Sequence, residues 1–196
     1  MKINSLIIIV VLLISSNTLF SQGDNLFKNK KHRIGFNVGY GGQTCLNVKY
    51  YYEIKLYKAQ YYYAFLLRKS WGLDLLLQPQ YNTTKFRLKG NAEDEIEAIE
   101  FGINAGVLIR KNFFNDFISL YAGISGGPHY ISETSQRQQK GYVFSDNLFI
   151  GLSMRLFKNI YLDLRTGFRH ISSAGISEPN RGINNSVIGG GIFINL

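Results

Sequence analysis

The chain has 196 residues, 22 Lys plus Arg against 13 Asp plus Glu, and a net charge of +9. That length suits a single domain, and a lone cysteine, Cys45, excludes an intramolecular disulfide. Three prolines against 20 glycines, 13 tyrosines and 14 phenylalanines, with mean hydropathy of −0.05, suit strands that are apolar on one side only.

Met1 and Lys2 precede an apolar run over 6–14 and then Ser15, Ser16, Asn17 and Ser21. These are the three regions of a secretory signal peptide, expected to span 1–21 and leave 22–196 as the mature domain. The run is far short of the roughly 20 residues that a spanning helix needs, and no other stretch qualifies. Removal takes Lys2 and no acid, so the mature chain stays basic. Export makes nucleic acid an unsuitable partner, and anionic lipid head groups are the natural counter-charge, although the lysines would equally serve as solvating groups on loops.

Eight alternating segments follow. Ile34, Phe36, Val38 and Tyr40 alternate with Gly35, Asn37 and Gly39; Tyr57, Ala59, Tyr61, Tyr63, Phe65 and Leu67 form a second run. Trp71, Leu73, Leu75 and Leu77 oppose Gly72, Asp74, Leu76 and Gln78, and the fourth run sets Ile99, Phe101, Ile103, Val107 and Ile109 against Glu100, Gly102, Asn104 and Gly106. Next come Ile118, Leu120, Ala122 and Ile124, then Leu148, Ile150, Leu152, Met154 and Leu156. Ile160, Leu162, Leu164, Thr166 and Phe168 oppose Asp163, Arg165, Gly167 and Arg169, and the last run carries Ile188, Ile192, Ile194 and Leu196.

Short connections (68–72, 111–116, 157–159) alternate with long polar ones (41–56, 83–96, 131–146, 171–185). The pattern predicts an all-β fold: an eight-stranded antiparallel transmembrane β-barrel with short periplasmic turns and long outer loops, in the bacterial outer membrane. Asp74, Glu100, Arg155, Asp163 and Arg165 would then face a lumen packed with side chains. Tyr40, Tyr57, Trp71, Tyr81, Tyr121 and Phe168 are candidates for interfacial girdles. A soluble two-sheet sandwich would also accommodate the alternation, but it does not require every short turn to fall at one end.

His170 and Ser172 stand two apart at the end of the seventh run, so both side chains leave the face of Leu162, Leu164 and Phe168. Polar groups against hydrocarbon cost a few kcal/mol each unless paired, which points to chemistry at a membrane surface. Around them lie Ser173, Ala174 and Gly175, then Pro179 and Asn180, then Gly182, Ile183 and Asn184. This block resembles the signature of the lipid A 3-O-deacylases, outer-membrane esterases of the PagL type also described as acyloxyacyl hydrolases. The specific match covers about 15 residues, while the eight-strand layout is compatible over the whole chain.

The resemblance implies a serine-type ester hydrolase acting on the 3-hydroxyacyl chain at position 3 of lipid A in the outer leaflet, with no cofactor and no metal. It implies Ser172 as nucleophile, His170 as base, and the Gly175 N–H with the Asn180 side chain as oxyanion donors. Two positions depart from the family: Ser173 stands where it has asparagine, and Asn184 where it has the triad acid. An amide oxygen at Asn184 could orient the imidazole without supplying charge; Glu178, in the same loop, is the other candidate acid. The alternative function is an inactive barrel with a structural or surface-interaction role. Arg169, Arg181, Lys85, Arg87 and Lys89 are candidate contacts for lipid A phosphates.

Other motifs carry less. His32 and His129 lack metal-type spacing, the acidic stretch 93–97 lacks the glycine of a calcium loop, and glycines 189–191 lie inside a strand, where close packing explains them better than phosphate binding.

Overall fold

The computed structural model describes residues 31–43, 51–88 and 95–196. The leader expected over 1–21, Cys45, and Lys89 lie outside the described residues. Eight strands occur in order: β1 (His32–Gln43), β2 (Tyr52–Arg68), β3 (Trp71–Arg87), β4 (Glu95–Phe113), β5 (Ile118–Ile131), β6 (Gly141–Phe157), β7 (Ile160–Ser172) and β8 (Ile183–Asn195). Each pairs antiparallel with its neighbours, and β1 closes on β8 into a barrel. Closure leaves no unpaired edge, the condition for crossing a bilayer with strands.

All three tight turns fall at one end. The β2–β3 turn is only Lys69 and Ser70, with Lys69 at φ 52°, and the other two use positive φ at Phe114, Asn115, Asp116 and Lys158. Outward positions read as the period predicts. Ile34, Phe36 and Val38 on β1, Leu75 and Leu77 on β3, Ile103, Val107 and Ile109 on β4, and Ile188, Ile192 and Ile194 on β8 are all exposed on the outside. A row of rings, Tyr57, Tyr81, Phe101, Tyr130 and Tyr142, runs partner to partner across β2–β6 as an interfacial belt.

The lumen is filled by charge networks. Asp74 sits between Arg33 and Arg110, the Arg110 Nε–H donating to its Oδ2 at 2.8 Å. Asp163 accepts from Arg165 and, at 2.5 Å, from the Tyr121 hydroxyl. Glu100 accepts from Arg169, contacts His129 Nδ1 at 2.5 Å, and accepts from Asn82 at 3.0 Å. Paired in this way, buried charges keep their hydrogen bonds instead of paying the full desolvation cost. Tyr121 is therefore a lumen residue, not part of the girdle: it falls in the inward phase of β5 and its hydroxyl serves Asp163.

Near the long-loop end the polarity of the wall inverts. Tyr52, Ile54, Leu56, Phe86, Ala98, Ile131, Val143, Ile171 and Ile183 form one buried apolar cluster inside the cylinder. Outside, β2–β4 carry Glu53, Lys55, Lys85 and Glu97 above the aromatic belt. This is the arrangement of a barrel standing in water, apolar inside and polar outside. For that reason the strands continue well into segments expected to be loops: β2 begins at Tyr52, β3 runs to Arg87, β4 begins at Glu95, β6 at Gly141 and β8 at Ile183.

Candidate functional site

His170 lies where the wall changes character. Along the outward face of β7, Leu164, Thr166 and Phe168 give way to His170 and Ser172; behind them Arg165 and Arg169 give way to Ile171 in the apolar cluster. Both His170 and Ser172 are half-buried on the outside.

Asn184 is the cross-strand partner of His170 on β8. Their side chains meet at 2.6 Å between Nδ1 and Asn184 Oδ1. With the amide oxygen as acceptor, the proton resides on Nδ1 and the lone pair on Nε2, the tautomer a general base needs. The Cε1–Nε2 edge of the ring lies against Gly182: a Cβ there would stand 2.5 Å from the imidazole Cε1 and 3.2 Å from Nε2. Gly182 follows the last β7–β8 pair, Ile171 with Ile183, and so stands level with Ser172. Its φ of 68° also favours glycine. The structure thus brings His170 and Asn184 into contact and sets Ser172 beside the ring on the same face. Among the described residues no hydrogen bond closes between the Ser172 hydroxyl and the imidazole. Such bonds commonly tighten only with substrate bound.

The loop 173–182 is built from its own polar groups. Ser173 is fully buried; its hydroxyl donates to Ser177 O at 2.8 Å and accepts from Ser177 N–H at 3.4 Å. The Ile176 N–H returns to Ser173 O at 3.0 Å, with Ala174 at φ 52° and Gly175 at φ 81°, a tight turn with both central residues left-handed. Gly175 is exposed, and nothing would touch a Cβ there. Asn180 Oδ1 accepts from Ser173 N–H at 2.8 Å, which fixes the amide and turns its NH₂ the other way. Glu178 accepts from the Asn180 N–H at 2.9 Å, so its carboxylate is spent within the loop and not on the imidazole.

A second loop braces the first, and sequence reasoning missed it. Gln138 bridges to Asn180, Gln139 N–H donates to Pro179 O at 2.7 Å, and Arg181 N–H donates to Arg137 O at 2.8 Å. Arg137 also reaches the carbonyls of Gly182 and Arg181. These contacts join segments some forty residues apart and leave no periodic signal.

The candidate phosphate contacts separate. Arg169 is excluded: it is 1% exposed, inside the lumen, and paired with Glu100. Lys85 lies outside, 3.2 Å from Glu95 and 2.6 Å from Glu97, and hydrogen bonding to Glu97 and then Glu95 raises its ammonium above the ordinary lysine range. Arg87 stacks on Tyr51 and approaches Glu95. Arg181 is exposed.

Beside His170, a shallow hollow of about 450 Å³ opens on the outer wall, floored by Ala105, Gly106 and Gly126 and flanked by Leu148 and Phe168. Asp146 also lines it.

Comparison with solved structures places the barrel among outer-membrane proteins. The crystal structure of the outer membrane enzyme PagL superposes with a TM-score of 0.58 at 17% identity, covering 84% of this chain and 99% of that one. Neisserial surface protein A (NspA) follows with a TM-score of 0.54 at 10% identity, covering 85% and 97%. At these identities the likeness is one of fold. No curated protein matches the chain by sequence. The family profile described as lipid A 3-O-deacylase (PagL) matches residues 46–192, which takes in β2 to β7, most of β8 and the whole His170 to Asn184 block. An outer-membrane barrel of this kind, matched over most of its length, belongs to the lipid A 3-O-deacylase (PagL) family.

Proposed function

We propose that this protein hydrolyses the ester that holds the 3-hydroxyacyl chain at position 3 of lipid A, with Ser172 as nucleophile and His170 as base. The observation that carries the reading is the 2.6 Å contact of His170 Nδ1 with Asn184 on the outer wall, within a chain of this family. A lumen filled by side chains has no room for a lipid, whereas an exterior site at the rim meets acyl chains already in the outer leaflet. Ser172 Oγ would attack the ester carbon as its proton passes to His170 Nε2. The Gly175 N–H and the Asn180 NH₂ would receive the oxyanion, each worth roughly 3 kcal/mol in such sites. Collapse would expel the sugar oxygen, protonated by the imidazolium, and water would release the acyl chain from Ser172.

One feature favours a second reading. Asn184 brings no charge where the family has an acid, which suits a barrel that has lost its activity and kept a structural role. Mass spectrometry of lipid A from cells producing the wild type, Ser172→Ala and Asn184→Glu separates the two. The enzyme reading expects acyl loss in the wild type and none in Ser172→Ala. Identical patterns from both, with both folded in the membrane, overturn it, and activity confined to Asn184→Glu identifies a decayed enzyme.

A further inference from the structure

The lumen holds a cation that its ion pairs do not use. Three carboxylates, Asp74, Glu100 and Asp163, hold four arginines, Arg33, Arg110, Arg165 and Arg169. Asp116, another buried acid, lies in the β4–β5 turn. Lys58, on the inward face of β2, is 7% exposed and, among the described residues, forms no hydrogen bond or salt bridge. Asp163 and Glu100 lie within electrostatic reach of it, and each is already bound to an arginine. A buried ammonium without hydrogen-bonded compensation is costly.

Lys58 lines a cavity of about 20 Å³ inside the cylinder. The polar lining is three cations, Lys58, Arg165 and Arg169, with Gln78, Ser125 and Asn147, and no acid. Donors are left over around it. Arg169 Nε and Ser125 Oγ are buried and have no hydrogen-bond partner among the described residues, and every hydrogen bond of Arg165 uses Nε or Nη2. The orphaned acceptors Asn37 Oδ1, Asn82 Oδ1 and Glu100 Oε2 belong to residues outside this lining. Leu56 and Ile171, the next inward residues toward the long-loop end on β2 and β7, belong to the apolar cluster, and Val187 packs on that cluster and lines the cavity as well. The cluster thus closes the lumen above the site. Roughly 10–15 Å³ suffices for one water, so this cavity has room for a single small ion and is too tight for a polyatomic anion.

We propose that this cavity is a structural anion site that takes one chloride ion, held by the Lys58 ammonium, the guanidinium groups of Arg165 and Arg169, and the Ser125 hydroxyl. A monatomic halide accepts hydrogen bonds from any direction, which suits a lining whose unspent groups are donors. A water needs acceptors as well as donors, and it would leave the charge of Lys58 uncompensated. The ion balances that charge beneath the apolar cluster and ties β2 to β7, two strands that are not neighbours in the sheet. It is taken up as the barrel closes. The site lies inside the wall, apart from His170 and Ser172 on the exterior, and does not depend on the esterase reading.

The test uses the purified full barrel in detergent micelles, unfolded in urea and refolded in potassium chloride or in potassium gluconate at equal ionic strength. Chloride is expected to raise the urea midpoint saturably: at about a hundred times its dissociation constant, the unfolding equilibrium constant falls about a hundred-fold. Bromide should replace chloride, and anomalous scattering from crystals grown in bromide should place one ion within hydrogen-bonding distance of Lys58, between Arg165 and Arg169. Lys58→Met should lose both the bromide peak and the chloride dependence. Lys140→Met, at an exposed lysine paired with Glu133, should keep both. Equal wild-type midpoints in the two salts, or a chloride dependence retained in Lys58→Met, overturns the proposal. Absence of bromide from the cavity also overturns it and marks a water site. Where Lys58→Met fails to fold, the salt dependence and the bromide position in the wild type decide alone.

Discussion

His170 and Asn184 face each other across the β7–β8 ladder, and their 2.6 Å contact lies on the outside of the barrel. Because the amide oxygen faces Nδ1, the tautomer is the one that the proposed base requires. On the proposed reading, what the amide lacks relative to a triad acid is charge. In serine proteases the acid-to-amide change costs about 10⁴ largely through the wrong tautomer. The loss here should be smaller, and Asn184→Glu is expected to raise kcat on lipid A by roughly 10- to 100-fold. Asn184→Ala, which frees the ring, should lower it by a similar factor. Steady-state release of the 3-hydroxy fatty acid from micellar lipid A measures both.

Gly182 makes room for the imidazole of His170, the proposed base, by having no side chain. A methyl there would stand 2.5 Å from the imidazole Cε1 and 3.1 Å from Ile171 O, on a backbone already at φ 68°. Gly182→Ala should push the ring off its position and lower activity by about 100-fold, the scale on which a displacement of 1 Å disrupts a reacting pair. The barrel's heat-dependent electrophoretic mobility should not change, because the displaced group lies outside the cylinder.

Ser173, which stands where the resemblance expects an asparagine, has a structural task of its own. Its hydroxyl both donates to and accepts from Ser177 and is fully buried under the loop that holds Asn180. Ser173→Ala should therefore loosen the loop by about 1–2 kcal/mol, the usual cost of leaving buried partners unsatisfied. The readouts are faster proteolytic nicking between 173 and 182 and a several-fold loss of kcat. A variant as resistant and as active as the wild type would show that the Asn180 and backbone contacts suffice.

Much of this architecture is legible in the sequence wherever one face of a strand meets lipid. The outward phase of Ile99, Phe101, Ile103, Val107 and Ile109, with Glu100 and Asn104 opposite, holds residue by residue. Legibility fails where the environment changes along a strand. Above the aromatic belt the outside is wet and the inside apolar, so Ile54, Phe86 and Ala98 fall in the opposite phase to Tyr57, Tyr81 and Phe101, and these stretches read as loop. Asp146 stands at the end of a polar stretch that reads as loop and so has no register in the sequence; pairing with β7 sets it opposite His170. Arg137 and Gln138 act through backbone contacts between distant loops, which have no expression in composition or period. The local motif, by contrast, carried His170, Ser172 and Asn184 to one face because two-residue spacing and cross-strand register are properties of any regular ladder.

Stability should rest on the lumen, where a single carboxylate can be removed cleanly. Asp74 is fully buried between Arg33 and Arg110, neither of which is more than 5% exposed. Asp74→Asn takes away the carboxylate that stands between two guanidinium groups, and breaking a buried pair in this way typically costs about 3–5 kcal/mol. Urea unfolding of the micelle-bound barrel should report that loss as a lower midpoint at unchanged slope. Adding Arg33→Met to Asp74→Asn removes one of the two facing cations and should recover a large part of the stability, since the penalty arises from the repulsion of two buried like charges and not from a lost attraction. If the double variant is no more stable than Asp74→Asn, the carboxylate acts chiefly through its hydrogen bonds to Arg110. Enzymatic rate measured well below the unfolding midpoint should be the same in all three proteins, because Arg33, Asp74 and Arg110 lie inside the wall toward the short-turn end, remote from His170.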